Sequence, residues 1–125
     1  MTRINVGIMP NELTGPHLLA EHREIKRIPN CIKSGRFNMK GIPSEFTLGT
    51  GHVKFFYNKI AFLRDRYKTI YVECVKRGYN VTDYSESFEN ISNSFMGNYE
   101  PTVRDRDLLL QRIHERLTQS KLKRN

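Results

Sequence analysis

A chain of 125 residues that is 38% hydrophobic and 10% aromatic is long enough for one domain with a real core and too apolar to stay disordered. No apolar run approaches the ~18–20 residues of a membrane span, and the N-terminus lacks the apolar stretch of a signal peptide. Cys31 and Cys74 stand outside any Cys-x-x-Cys pattern, so a zinc site or disulfide framework is not suggested, and a soluble, intracellular protein with reduced thiols is expected. The net charge of +8, from 21 Lys and Arg against 13 Asp and Glu, points to a polyanionic partner, most simply nucleic acid.

The first predicted element lies in "LTGPHLLAEHREIKR". Thr14 suits an N-cap and Pro16 the first turn, and Pro29 bars a clean continuation, so a helix is expected from about Gly15 to Ile28, with room for a further turn beyond. The stretch "CIKSGRFNMKGIPSEFTLGTGH" reads as loop with at most short turns, with His52 as either a packed or hydrogen-bonded loop residue or a functional one. The second helix runs through "KIAFLRDRYKTIYVECVKRGYN", where Ile60, Leu63, Tyr67, Ile70 and Cys74 recur at helical spacing and Gly78 suits the position after the last turn. This helix should be the central, most buried one. Residues 79–100 read as a second long loop, and from Gly78 to Val103 there is no Lys or Arg, so the cations fall before and after it. The third helix opens at Pro101 or Thr102 and carries Leu110, Ile113 and Leu117 on one stripe, with Arg112 and Arg116 on another face. The fold class expected is all-α: a compact single domain over 1–125, of three main helices joined by long irregular loops. Loops this long in a small domain are uncommon unless functional.

On a wheel at about 100° per residue, the first helix has an apolar back of Leu18, Leu19 and Ile25 and a front holding Arg23, Arg27, Ala20, Glu24 and His17. Like charges at i, i+4 cost about 0.2–0.5 kcal/mol, so Arg23 and Arg27 do not serve helix stability, and a phosphate between them would reverse that cost. Glu24 is either a surface ion-pair partner of Arg27 or a functional carboxylate.

Five collinear segments, "MTRIN", "HLLAEHREIKR", "TLGTGHVKFFYNKIAFLRDR", "ECVKRGYN" and "GNYEP", resemble the bacteriophage endonuclease V family of pyrimidine-dimer DNA glycosylases with abasic-site lyase activity. The resemblance runs from Met1 to about Gln119. It implies a monomer acting on damaged duplex DNA without a metal or organic cofactor, away from membranes, in the host cytoplasm if the chain is viral. It further implies that Met1 is removed and that the α-amine of Thr2 attacks C1′ of the damaged nucleotide. The family's essential carboxylate matches Glu24. Its DNA-contacting residues match Arg3, His17, Arg23, Arg27, Lys33, Arg112 and Arg116.

Elementary chemistry is consistent with that assignment. An α-amine has a reference pKa of about 7.7–8 against about 10.4 for lysine, so a far larger fraction of it is neutral and nucleophilic at pH 7. Neighbouring arginines disfavour the ammonium and lower that value further. The sequence departs from the family in three places. It has no tryptophan and ends "SKLKRN" where such enzymes continue into an aromatic tail; Pro16 replaces a polar residue; and the loop after the first helix is shorter. Phe37, Phe55, Phe56 and Tyr57 could stand in for the tail but suit the core better. The alternatives are a non-catalytic basic DNA-binding relative and a glycosylase for another base lesion.

Overall fold

Five α-helices and no β-strand make up the regular structure among the described residues of the computed structural model, which are 2–124, with side chains described over 2–116. In chain order they are α1 (Gly15–Glu24), α2 (Arg27–Lys33), α3 (His52–Phe55), α4 (Ile60–Lys76) and α5 (Val103–Arg124). Single 3-10 turns at Pro10–Glu12, Ser85–Phe88 and Asn93–Phe95 punctuate the connections.

The most heavily packed element is α4, which buries Ile60, Leu63, Tyr67, Ile70 and Cys74, the set its spacing predicts. Its end follows from Gly78. A positive φ of 83° lets the Gly78 N–H reach the Val75 carbonyl at 2.9 Å and the Tyr79 N–H reach that of Cys74 at 2.9 Å, satisfying carbonyls that a helix end otherwise orphans. α1 packs against α4 through Leu18, and Ile25, Ile28 and Ile32 continue the core into α2.

The first helical stretch starts at Gly15 as expected but does not run unbroken to Ile28. α1 stops at Glu24 and α2 restarts at Arg27. Pro29 explains the position of the break, because a proline ring excludes the carbonyl four residues earlier, here that of Ile25. Pro29 itself lies in the first turn of α2, where no N–H is needed.

α5 opens on a reciprocal cap. Thr102 Oγ1 accepts from the Asp105 N–H at 3.1 Å, and Asp105 Oδ2 accepts from the Thr102 N–H at 3.1 Å and from the Tyr99 hydroxyl. This helix buries Asp105 and Leu109, and Ile113 of the expected stripe is half-buried against the core, whereas Leu110 of that stripe is 42% exposed and Leu109 takes its place at 0%. The buried cap at Asp105 sets the rotation: residues four and eight further on share its side of the helix. The Leu117 side chain lies outside the described residues.

The chain's beginning is not a frayed end. Ile4, Val6 and Ile8 are core residues, so the chain enters the interior at residue 4 and reverses there in a turn, where Gly7 has a φ of 73° and the Ile8 N–H donates to the Asn5 carbonyl at 3.2 Å. Phe46, Phe55 and Phe56 are buried and meet edge-on at 5.1–6.2 Å, while Phe37 and Tyr57 are half-buried, so these rings serve the core. Cys31 and Cys74 are free thiols. No described helix is long and apolar enough to cross a membrane.

Candidate active site

Three consecutive backbone amides near the N-terminus are each taken by a different side chain. The Arg3 N–H donates to Glu24 Oε1 at 3.2 Å, the Ile4 N–H to His52 Nε2 at 2.9 Å, and the Asn5 N–H to Glu21 Oε1 at 3.3 Å. Alternation along an extended chain turns residues 3 and 5 to one side and residue 4 to the other. Glu21 and Glu24, three apart on α1, are neighbours on a helix surface and meet the first pair. His52, at the start of α3, meets the amide between them.

The two carboxylates are held very differently. Glu21, with a side chain 0% exposed, accepts from Asn5 Nδ2 at 2.7 Å and Arg66 Nη2 at 3.0 Å, while Arg66 Nε pairs with its second oxygen. Arg66 also donates to the Ile8 carbonyl at 3.0 Å, so the ion pair ties α1, α4 and the N-terminal segment together. Glu24 is 14% exposed, and among the described residues its second oxygen has Arg23 Nη2 alone, at 3.6 Å. Among those residues it is a carboxylate fixed by one backbone contact.

Glu24 borders open space. A cavity of about 280 Å³ is lined by Arg3, Asn5, His17, Ala20, Glu21, Glu24 and Arg116. The short side chain of Ala20 leaves the room. A second cavity, of about 160 Å³, is lined by Thr2, Leu48, Gly49, His52 and Val53, and Arg3 lines both. Standard bond lengths hold the Thr2 nitrogen within about 7 Å of Glu24 Oε1, because the Arg3 amide that bonds this oxygen is the next nitrogen along the backbone.

The surroundings are cationic. Burial lowers the pKa of Arg3, and Arg116 and Arg112 lower it further against the opposing pull of Glu24. Burial likewise lowers that of His17, with Arg3 and Arg116 adding to the effect, and its Nδ1 lies 3.0 Å from Thr14 Oγ1. Arg112 and Arg116 come from α5, so cations from both sides of the Lys- and Arg-free stretch converge on residue 3.

Of the residues singled out from sequence, Thr2, Arg3, His17, Glu24 and Arg116 therefore share the two cavities, with Arg112 beside them. Arg23 is exposed, lines neither of these two cavities and, rather than Arg27, is the described ion-pair partner of Glu24. The break after Glu24 interrupts the rotation that the wheel assumes for Arg27, which is exposed on α2. Lys33 ends α2 and donates to the Glu86 carbonyl at 2.8 Å. Neither Arg27 nor Lys33 lines a cavity at residue 3. Removal of Met1 concerns a residue outside those described. Asn5, Glu21 and Arg66 were not anticipated, since their partners lie 16 and 45 residues apart in sequence and leave no local pattern. Among the described residues no group of three or more His, Cys, Asp or Glu could hold a metal ion.

Residues 1–87, more than two thirds of the chain, match the family model for pyrimidine dimer DNA glycosylases, and the chain belongs to that family. The family acts on damaged DNA.

Proposed function

We propose that this glycosylase performs base release and strand cleavage through one covalent intermediate formed by the α-amine of Thr2, once Met1 has been removed. The observation that carries the reading is the hydrogen bond from the Arg3 N–H to Glu24 Oε1 at 3.2 Å, which sets a carboxylate one residue from that amine. The neutral amine attacks C1′, the C1′–N bond to the base breaks, and the base leaves with the electron pair. Loss of a proton from nitrogen and opening of the sugar ring leave an imine between protein and C1′. The imine acidifies the C2′ proton; its removal expels the 3′ phosphate and breaks the strand.

Glu24 is the group that shields the positive charge developing at C1′ and carries protons during ring opening and elimination. Arg3, Arg112 and Arg116 hold the amine pKa down and, with His17, Arg23, Arg27 and Lys33, bind the phosphates of the duplex. The protein acts as a monomer, and pyrimidine dimers in ultraviolet-damaged duplex DNA are its substrate. Reaching C1′ requires distorting the duplex at a cost of a few kcal/mol, lower at a damaged step, which adds to selectivity.

The test is borohydride reduction in the presence of a duplex containing an abasic site, using protein whose intact mass shows Met1 to be absent. The expected result is a covalent adduct that disappears when one residue is added ahead of Thr2 and is strongly reduced in Glu24→Gln. No adduct from such protein would overturn the imine mechanism and favour a DNA-binding relative without lyase chemistry.

A further inference from the structure

His52 is a buried histidine whose two ring nitrogens both have partners of fixed chemistry. A backbone N–H can only donate, so Nε2 must accept from Ile4 at 2.9 Å. A carbonyl can only accept, so Nδ1 must donate to Thr47 at 2.8 Å. The ring is therefore neutral, in the Nδ1–H form, and bridges the loop before α3 to the N-terminal segment. Phe46 and Phe56 stand edge-on to it at 5.3 and 5.4 Å and prevent it from turning away. The same imidazole lines the cavity that Thr2 lines.

We propose that His52 is a positioning residue for the amine nucleophile: its bond to the Ile4 amide fixes residues 2–4 between α3 and α1, and protonation of the ring releases them. This rests on the imine mechanism above. It goes beyond it in assigning the geometry of attack to a side chain that takes no part in bond making. Glu24 and His52 grip adjacent amides from opposite sides, so the backbone at residues 3 and 4 cannot rotate about its own axis without breaking one of two bonds. Residue 2 lies immediately upstream, and its nitrogen inherits that orientation.

Protonation would set an imidazolium N–H against the Ile4 N–H, two donors facing each other in the interior. The charged groups facing the ring are Arg3 from the N-terminal segment and Glu21 from α1, the latter already occupied by Arg66; the ring faces from the loop and α3 are uncharged. Burial lowers the His52 pKa and Arg3 lowers it further, while the Thr47 hydrogen bond and Glu21 act in the opposite direction.

The experiment is single-turnover borohydride trapping on an abasic-site duplex as a function of pH, with duplex affinity measured separately by anisotropy. Replacing the ring by one without polar atoms, His52→Phe, is expected to slow trapping about tenfold to a hundredfold while duplex affinity changes by less than about twofold. His52→Gln, which keeps an acceptor and cannot take up a proton, restores part of that loss. The acid limb gives the second readout. In the wild type, log rate falls toward low pH with a slope above 1, because the amine and the imidazole each bind a proton; in His52→Gln it falls with a slope of 1.

Equal slopes in the two proteins would overturn the proposal, as would wild-type trapping by His52→Phe or a rate loss fully matched by weaker duplex binding. The slope comparison does not depend on whether the phenylalanine variant folds. Absence of any adduct from the wild type would remove the imine mechanism and this proposal together, whereas a wild-type adduct with unchanged variants removes this proposal alone.

Discussion

On one flank of α1, Glu24 and His17 border a cavity of about 280 Å³ among arginines that repel one another. On the other flank, His22 is enclosed by the rings of Tyr67, Tyr71 and Tyr84 at centroid distances of 5.1–6.3 Å. There the Tyr67 hydroxyl lies 3.3 Å from His22 Nε2 and accepts the Tyr84 N–H at 2.6 Å, and Lys26 Nζ sits 3.5 Å from the Tyr84 ring centre. Both flanks are rich in titratable groups. They differ in whether that capacity is filled from within the protein. The filled flank, together with the Glu21–Arg66 pair on the cavity side, fixes the rotation of α1, so that the open flank can hold charge at a defined place. Satisfied polar groups supply rigidity, and unsatisfied ones await a ligand.

The sharpest way to break the comparison is to neutralise in turn the two glutamates of the cavity, Glu24 and the internally paired Glu21. Glu24→Gln is expected to slow imine trapping about a thousandfold or more with little change in melting temperature, since it removes a proton carrier and leaves an acceptor for the Arg3 N–H. A loss below about tenfold would show that Glu24 handles no proton. Glu21→Gln should do the reverse to stability and cost about 3 kcal/mol or more in urea unfolding, because Arg66 then keeps a buried charge without its partner.

Smaller effects refine the picture. Tyr67→Phe deletes a hydroxyl with two partners and should cost about 1–2 kcal/mol, with trapping rates intact. Burial lowers the pKa values of both His22 and His52 from the ordinary 6.5, so the unfolded chain binds more protons than the folded one just below that pH. Stability is therefore complete above pH 6.5 and declines as pH falls through and below it. Urea titrations at stepped pH should show that decline, and His52→Gln should make it shallower. The smallest expected change is in Arg27→Ala: stability within about 0.5 kcal/mol of wild type, and a log–log salt dependence of duplex binding shallower by about 0.9 if one phosphate contact is lost. An unchanged salt slope would remove Arg27 from the DNA face.

The helices were largely legible in the sequence because their signals are local: the 3.6-residue recurrence in α4, Gly78 after its last turn, and Thr102 before α5. The break between α1 and α2 was misread because Pro29 acts on the carbonyl four residues behind it rather than at its own position. The short α3 is within what a loop with short turns allows, but four residues make no period that would place it; it is held by aromatic packing and by Gly51, whose φ of 89° forms the turn into it. At the candidate site the wheel grouped His17, Ala20 and Glu24 correctly, since they are separated only by turns of one helix. It could not supply Asn5, Glu21 with Arg66, or the hold of His52 on Ile4, which exist only after distant segments have packed.

The bond between Glu24 and residue 3 is made to the main chain, not to the guanidinium. Every amino acid except proline offers that same hydrogen. A change of side chain at position 3 therefore alters the cation that lines both cavities while leaving the carboxylate's hold on the backbone in place. Among substitutions at that position, only proline would remove the bond itself.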